Sequence, residues 1–133
     1  MKPSLSVVVP AYNEGGNIVK CLTDLDKYFK KSSFDYEIIV VNDGSKDKTG
    51  EIIHKLLKKI RNLRLIEHFP NRGYGGALKA GFLVASKDLI TFAHADSQFN
   101  LSEITKFRNK MHTTNADIVC GIRIQDKDPF YRR

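Results

Sequence analysis

The sequence is poor in cysteine and has no long apolar run. Its two cysteines, Cys21 and Cys120, form neither a CxxC pair nor a Cys/His cluster with zinc spacing. Both lie in apolar segments, so we expect two reduced thiols in the core of a cytosolic protein. No run approaches the ~18 apolar residues of a membrane span, and residues 1–4 do not begin a signal peptide. We therefore expect a soluble, cytoplasmic chain.

The composition is that of an ordinary globular domain. A length of 133 residues, 41% of them hydrophobic, suits one domain spanning residues 1–133. The formal net charge of +7 favours an anionic partner, such as nucleotide phosphates, nucleic acid or an acidic membrane surface. Nucleic acid is the weakest of the three, because no basic patch is interleaved with aromatic residues. The basic segment "HKLLKKIRNLR" is expected to be a solvated helix face, with contact to an anionic membrane as the alternative.

Five short apolar runs alternate with segments of helical period. The runs are near-continuous and rich in Val and Ile, as in strands that are covered on both faces. They begin at Leu5, Glu37, Leu63, Leu89 and Asp117. This alternation predicts an α/β fold, in which right-handed crossovers join parallel strands and helices cover both faces of the sheet. We expect the fourth strand to be buried in the centre of that sheet.

The segments that follow the strands are polar, small or glycine-rich. They read "PAYNEGGN", "NDGSKDKT", "HFPNRGYGGA" and "HADSQFN" after the first four runs. Because ligands of open α/β sheets bind outside the carboxyl ends of the strands, we expect the site at this rim. Two nucleotide motifs are excluded, since there is no GxxxxGK[ST] loop and "GYGGAL" fails GxGxxG at its last position.

Two of these segments have both a functional and a structural interpretation. Asp43, just before Gly44, is suited to accept a hydrogen bond from a base N–H or a ribose hydroxyl. An Asx-turn or a helix cap explains Asp43 equally well. Gly73 and the glycines after it let the backbone approach an anion at a helix N-terminus, and a simple tight turn accounts for the same residues.

The fourth strand end places His94, Asp96 and Gln98 at alternate positions. On an extended segment these side chains would point the same way and converge on one cation. A carboxylate and an amide oxygen suit Mg²⁺ or Mn²⁺, and an imidazole favours Mn²⁺. Such a cation would neutralise a diphosphate leaving group. A polar strand end without any ligand is the common alternative.

As an ordered set, these motifs resemble family 2 glycosyltransferases, most closely the dolichyl-phosphate mannosyltransferase-like branch. The matching stretches are "VVVPAYNEGGNI", "IIVVNDGSKDKT", "NRGYGGALKAG", "FAHADSQF" and "GIRIQDKDPFYRR". The resemblance runs from Ser6 to Arg133. It implies the nucleotide-binding half of a GT-A fold, a Rossmann-like and mostly parallel sheet that stops after its fifth strand. Family catalytic domains continue for roughly another hundred residues, so the resemblance also implies a fragment or a truncated relative.

The resemblance assigns roles to individual residues. Nucleotide contacts are implied for Pro10, Ala11, Tyr12, Glu14, Asp43, Gly73, Lys79 and Asp96. Asp96 and Gln98 match the metal ligands of the family's Asp-x-Asp motif, and His94 stands at its first Asp position. Arg123 matches a basic residue near the donor or acceptor phosphates, so Asp96 and Arg123 are the implied catalytic residues.

The activity implied is inverting transfer of a sugar from a nucleotide diphosphate donor, with Mg²⁺ or Mn²⁺ as cofactor. A polyprenyl (dolichyl) phosphate acceptor is already ionised and needs no strong general base. A saccharide hydroxyl needs a carboxylate base, and we expect that base to lie beyond Arg133. The alternative is a non-catalytic nucleotide-sugar-binding module, because His94 brings less charge to a cation than Asp. The resemblance also implies a membrane surface as a partner, reached peripherally or through an anchor outside this chain. An oligomer is a further expectation.

Overall fold

The computed structural model describes residues 2–98 and 100–122, which fall into two compact units. The first unit contains a sheet and three helices, and the second, from residue 100 onward, contains the helix α4 (Ser102–Thr114). No helix within the described residues is long and apolar enough to cross a membrane. The assignment of residues 1–133 to one domain stays a prediction.

The first unit alternates strands and helices as the sequence predicts. Its elements are β1 (Ser4–Ala11), α1 (Ile18–Lys31), β2 (Asp35–Asp43), α2 (Thr49–Leu57), β3 (Leu63–His68), α3 (Gly73–Val84) and β4 (Leu89–Phe92). Among the described residues these strands form one sheet in the order β3-β2-β1-β4, and every neighbouring pair is parallel. All four carboxyl ends therefore lie at the same rim of the sheet.

Helices cover both faces of this sheet. On one face, Val8, Ile39 and Val41 are fully buried in a cluster with Ala77 of α3. On the other face, the ring of Tyr36 in β2 stacks on Phe29 of α1, with ring centroids 5.3 Å apart. The prediction of an α/β sheet with helices on both faces is confirmed.

Gly81 allows α3 to approach β1 closely. A Cβ atom at this position would lie 2.3 Å from Cγ1 of Val8, which is far inside van der Waals contact. The absence of a side chain therefore sets how near the helix lies to the central strands. The first turn of α3, at Gly73, lies at the rim because the helix begins shortly after the carboxyl end of β3.

A buried carboxylate, Glu37, ties together the end of the sheet opposite the rim. Its Oε1 accepts hydrogen bonds from the Ser6 hydroxyl at 2.6 Å and from the Ser86 backbone N–H at 2.7 Å, and its Oε2 accepts one from Arg64 at 2.7 Å. Burial alone raises the pKa of Glu37. The donors from Ser6, Ser86 and Arg64 together outweigh burial and lower this pKa to about 2.

The fourth strand is at the edge of the described sheet, which makes the prediction of a central, buried strand wrong. Within the described residues β4 pairs with β1 alone. Ile90 and Phe92 are 49% and 41% exposed. An apolar run shows that a segment can form a strand, but it does not show how many neighbours that strand has.

The predicted fifth strand, residues 117–122, is also wrong. These residues are not in a strand, and Ile118 and Ile122 are 79% and 87% exposed. A strand forms only by pairing with another, and the described part of the second unit holds no other strand. Cys120 in this segment is exposed, so the expected core thiol is confirmed for Cys21 and wrong for Cys120.

Candidate nucleotide-binding site

A pocket of about 420 Å³ opens at the rim, where the ends of β1, β2 and β4 meet the first turn of α3. Eight residues predicted from the sequence line it: Pro10, Ala11, Tyr12, Glu14, Asp43, Gly73, His94 and Asp96. The ends of three strands thus contribute to one cavity at the rim where the sequence predicts the site.

The loop after β1 is fastened to the loop after β2. The backbone N–H of Asn13 donates to the Ser45 hydroxyl at 3.0 Å, and the backbone N–H of Lys46 donates back to the Asn13 side-chain oxygen at 2.8 Å. The backbone N–H of Glu14 donates to Oγ1 of Thr49 at 2.9 Å. These bonds fix the position of Glu14 at the pocket wall.

Asp47 and Thr49 complete this connection. Asp47 accepts the backbone N–H and the hydroxyl of Thr49 on Oδ1, and the backbone N–H of Gly15 on Oδ2. The bonds from Thr49, and then the one from Gly15, lower the pKa of Asp47. Sequence reasoning did not identify these supports, although the Asp-x-Thr spacing is typical of an Asx-turn.

Asp43 lies at the end of β2, buried and facing the pocket. Its Oδ1 accepts the backbone N–H of Arg72 at 2.9 Å and lies 2.7 Å from Nδ1 of His68. The side chain of Asn71 donates to the Asp43 carbonyl at 2.7 Å. The partners of Asp43 thus belong to β3 and the loop after it, rather than to an Asx-turn or to a cap of α2.

The tip of β4 forms a turn and not the extended segment that was predicted. The Ser97 backbone has φ = 61°, and the backbone N–H of Gln98 donates to Oδ1 of Asp96 at 3.0 Å. The three alternate side chains therefore do not all point the same way. His94 and Asp96 line the pocket, whereas Gln98 is exposed and does not line it.

Two aromatic rings contact the His94 ring, and a thiol contacts its backbone. Its ring is nearly parallel to that of Tyr74, with centroids 6.0 Å apart, and the Phe92 ring meets it edge-on at 5.8 Å. The Cys21 thiol donates to the His94 carbonyl at 3.6 Å. Burial, with a contribution from Asp96, raises the pKa of Cys21 to about 12, so this thiol is a structural donor and not a nucleophile.

The pocket fits a divalent cation only in part. Within residues 2–98 and 100–122, no group of three or more His, Cys, Asp and Glu side chains is placed to hold a metal ion. Asp96 and His94 offer one carboxylate and one imidazole at the pocket wall. These two donors suit a cation whose remaining ligands are phosphate oxygens, and they do not suit a cation held by the protein alone.

The remaining predicted residues lie elsewhere. Lys79 is on the exposed surface of α3 and does not line the pocket, while Arg123 is outside the described residues. Asn71 and Tyr74 line the pocket without having been predicted. Both lie within "NRGYGGALKAG". The motif therefore predicted that this segment lines the pocket, but it did not predict these two side chains.

The family model for glycosyl transferase family 2 matches residues 6–133. Because this match spans nearly the whole sequence, the chain belongs to glycosyl transferase family 2. The resemblance drawn from the motifs is thereby confirmed.

Curated relatives narrow the similarity to dolichyl-phosphate sugar transferases. The chain is 37% identical to a dolichyl-phosphate beta-glucosyltransferase, ALG5A, of Trichomonas vaginalis, over 92% of this chain and 41% of that protein. It is also 37% identical to the dolichyl-phosphate beta-glucosyltransferase of Saccharomyces cerevisiae, over 86% of this chain and 37% of that protein. The chain thus spans about two-fifths of the length of these relatives. Their names specify glucosyl transfer, whereas the sequence motifs pointed to the mannosyltransferase-like branch.

Solved structures support the GT-A fold. The chain resembles S. aureus TarS 1-349 in complex with UDP-GlcNAc, with a TM-score of 0.67 and 28% identity over 82% of this chain and 32% of that one. It also resembles the mannosyltransferase PcManGT of Pyrobaculum calidifontis in complex with GDP-Man and Mn²⁺, with a TM-score of 0.63 and 25% identity over 72% of this chain and 28% of that one. The predicted GT-A fold is confirmed.

Proposed function

We propose that this chain is the donor-binding part of a glycosyltransferase that moves a sugar from a nucleotide diphosphate onto dolichyl phosphate, with inversion. The observation that carries the proposal is the pocket that brings the buried Asp43 and the exposed Asp96 together across the ends of β2 and β4. The names of the curated relatives support the class of reaction and the acceptor.

In this proposal the nucleoside binds beside Asp43 and the loop from Pro10 to Glu14. The Asp43 carboxylate accepts a hydrogen bond from a base N–H or a ribose hydroxyl. The diphosphate lies towards the first turn of α3, where Gly73 and Tyr74 line the pocket and no acidic residue is present. The positive end of the helix dipole and its backbone N–H groups favour an anion there.

Asp96 and His94 would hold a divalent cation jointly with the donor diphosphate. Such a cation neutralises the charge that develops on a diphosphate leaving group. The PcManGT complex with GDP-Man and Mn²⁺ supports metal use within this fold. Arg123 is proposed to contribute a further positive charge near the phosphates.

The acceptor is proposed to be a lipid phosphate, and the transfer would then take place at a membrane surface. A phosphate is already ionised near neutral pH, so it attacks the sugar without a strong general base. This fits the described pocket, in which Asp43 is proposed to bind the nucleoside and Asp96 the cation. The names of the relatives make glucose the proposed sugar.

Calorimetric titration with UDP-, GDP- and dTDP-glucose, with and without Mn²⁺, tests the donor side of this proposal. We expect one of the three to bind more tightly than the others, and Mn²⁺ to strengthen its binding. Failure of all three to bind at millimolar concentration would overturn the assignment of the pocket.

A non-catalytic nucleotide-sugar-binding module is the second candidate, because His94 occupies the first acidic position of the metal motif. Transfer of labelled glucose to dolichyl phosphate by the full-length protein distinguishes the two. Turnover supports the transferase. Donor binding without turnover, in a preparation that is correctly folded, supports the binding module.

A further inference from the structure

A buried histidine, His68, contacts the carboxylate that is proposed to bind the nucleoside. The parallel register of β2 and β3 sets Asp43 directly opposite His68, so both residues lie at the rim. They are 3% and 6% exposed, and Oδ1 of Asp43 is 2.7 Å from Nδ1 of His68. In the tautomer that carries its proton on Nδ1, His68 is the donor in this hydrogen bond.

The two hydrogen bonds to Asp43 converge on one oxygen. Oδ1 accepts from Nδ1 of His68 and from the backbone N–H of Arg72, which approach from different segments of the chain. The terminal torsion of an Asp side chain is otherwise broad, so two donors on one oxygen restrict the plane of the carboxylate. The second oxygen, Oδ2, is then the one with capacity to accept a hydrogen bond from a ligand in the pocket.

We propose that His68 is a positioning residue for nucleotide recognition, because it holds Asp43 with Oδ2 presented to the nucleoside. This rests on the proposed function, since it assumes that a nucleoside diphosphate occupies the pocket. A pre-oriented acceptor binds more tightly than a mobile one, because less side-chain freedom is lost on binding. His68 itself does not line the pocket, so its effect on affinity passes through Asp43.

Calorimetric titration with UDP and with GDP on three histidine variants tests this role. His68→Leu keeps a similar volume and removes the donor, and we expect affinity to fall about tenfold, the scale of one lost hydrogen bond to a charged group. In His68→Asn the amide nitrogen can take the place of Nδ1, so affinity should stay within about threefold of the wild type. The control is His54→Leu. His54 is exposed, its Nε2 lies 3.3 Å from Oε1 of Glu67, and neither residue lines the pocket.

A double-mutant comparison separates positioning from a purely structural role. In an Asp43→Ala background, His68→Leu should change the affinity less than about twofold, since no carboxylate remains to be oriented. Melting temperatures of all variants report on the fold independently of binding. A merely structural histidine would lower the melting temperature in both His68 variants and leave the affinity unchanged.

The outcomes also distinguish this proposal from the proposed function. If the wild type binds UDP or GDP and folded His68→Leu binds equally well, the positioning role is wrong and the donor site stands. If His68→Asn loses as much affinity as His68→Leu, the Nδ1 donor is not what matters, and the proposal is overturned. If the wild type binds neither nucleotide, the donor site and the role of His68 fall together.

Discussion

Thr49 holds Glu14 in place, because its Oγ1 accepts the backbone N–H of Glu14 at 2.9 Å. Thr49 is fully buried at the start of α2, and its hydroxyl also donates to Asp47. One side chain thus joins the loops that follow β1 and β2, which are separated by more than thirty residues in sequence. The shape of the pocket wall at Glu14 therefore depends on a residue that does not itself line the pocket.

Thr49→Val should destabilise the protein, because it keeps the volume but removes the acceptor of the Glu14 N–H and the hydroxyl donor to Asp47. We expect the free energy of unfolding to fall by about 1–2 kcal/mol, the scale of the hydrogen bonds that the buried Thr49 hydroxyl makes. Urea denaturation measures this directly. Thr23→Val, at a half-buried position of α1, is the matched control and should change stability little. Equal stability of both variants would show that the Thr49 bonds contribute nothing.

The Glu37 cluster should make stability pH-dependent in acid. The pKa of Glu37 in the folded state is about 2 against an ordinary value of 4.5, so its contribution is fully present above pH 4.5. That contribution is lost as pH falls from 4.5 towards 2, because the unfolded chain takes up the proton first. At 1.36 kcal/mol per pKa unit, it amounts to about 3 kcal/mol.

Glu37→Gln tests this window by chemical denaturation at several pH values. The stability difference between wild type and variant should be largest near neutral pH and shrink between about pH 4.5 and 2. Glu51→Gln is the control, because Glu51 forms an exposed pair with Lys55 on α2 and such pairs contribute little. A constant difference for Glu37→Gln across the range would mean that its charge is not what stabilises the cluster.

Gly81→Ala should push α3 away from β1. The added Cβ would lie 2.3 Å from Val8 in the core, and overpacking of this kind costs about 1–3 kcal/mol. Gly75→Ala in the same helix meets nothing within 4 Å, so it should be neutral or stabilise by up to about 1 kcal/mol. Thermal denaturation of the two variants checks the prediction. A Gly81→Ala protein as stable as Gly75→Ala would contradict the close approach.

The cation site predicts opposite effects of two substitutions at the β4 tip. Asp96→Ala should abolish the part of UDP or GDP binding that depends on Mn²⁺, because it removes the carboxylate ligand. His94→Asp should strengthen that part, since a second carboxylate adds charge to the site. Gln98→Ala should have no effect, because Gln98 does not line the pocket. Calorimetry with and without Mn²⁺ measures the nucleotide affinity of the three variants. If Asp96→Ala keeps the Mn²⁺ dependence of the wild type, Asp96 does not bind the cation.

Periodicity and motif order predicted most of the first unit. The apolar runs beginning at Leu5, Glu37, Leu63 and Leu89 are strands, and the polar segments after them meet at one rim. These features depend on local sequence and on the rule that parallel strands share a carboxyl edge. They could therefore be predicted without knowledge of strand order.

Features that depend on pairing and loop geometry could not be predicted in this way. The run at residues 117–122 has the composition of a strand but no neighbour in its unit, and the β4 tip turns at Ser97 instead of extending. The sequence places His68 at the rim, as the first residue of "HFPNRGYGGA", but assigns it no role. Its contact with Asp43 follows from the β2–β3 register, which the sequence pattern does not determine.

The most direct test of the nucleotide-binding site is the affinity of Asp43→Ala for UDP and GDP, measured by calorimetry beside the wild type. Losing one charge-assisted hydrogen bond should weaken binding by roughly 1–3 kcal/mol, or about 5- to 150-fold. Asp24→Ala, which removes an exposed carboxylate paired with Lys20 on α1, should bind like the wild type. Tight wild-type binding with a selective loss in folded Asp43→Ala is the predicted result. Equal affinity of the wild type and both variants would contradict the account, because the nucleotide would then bind without the carboxylate around which the site is built.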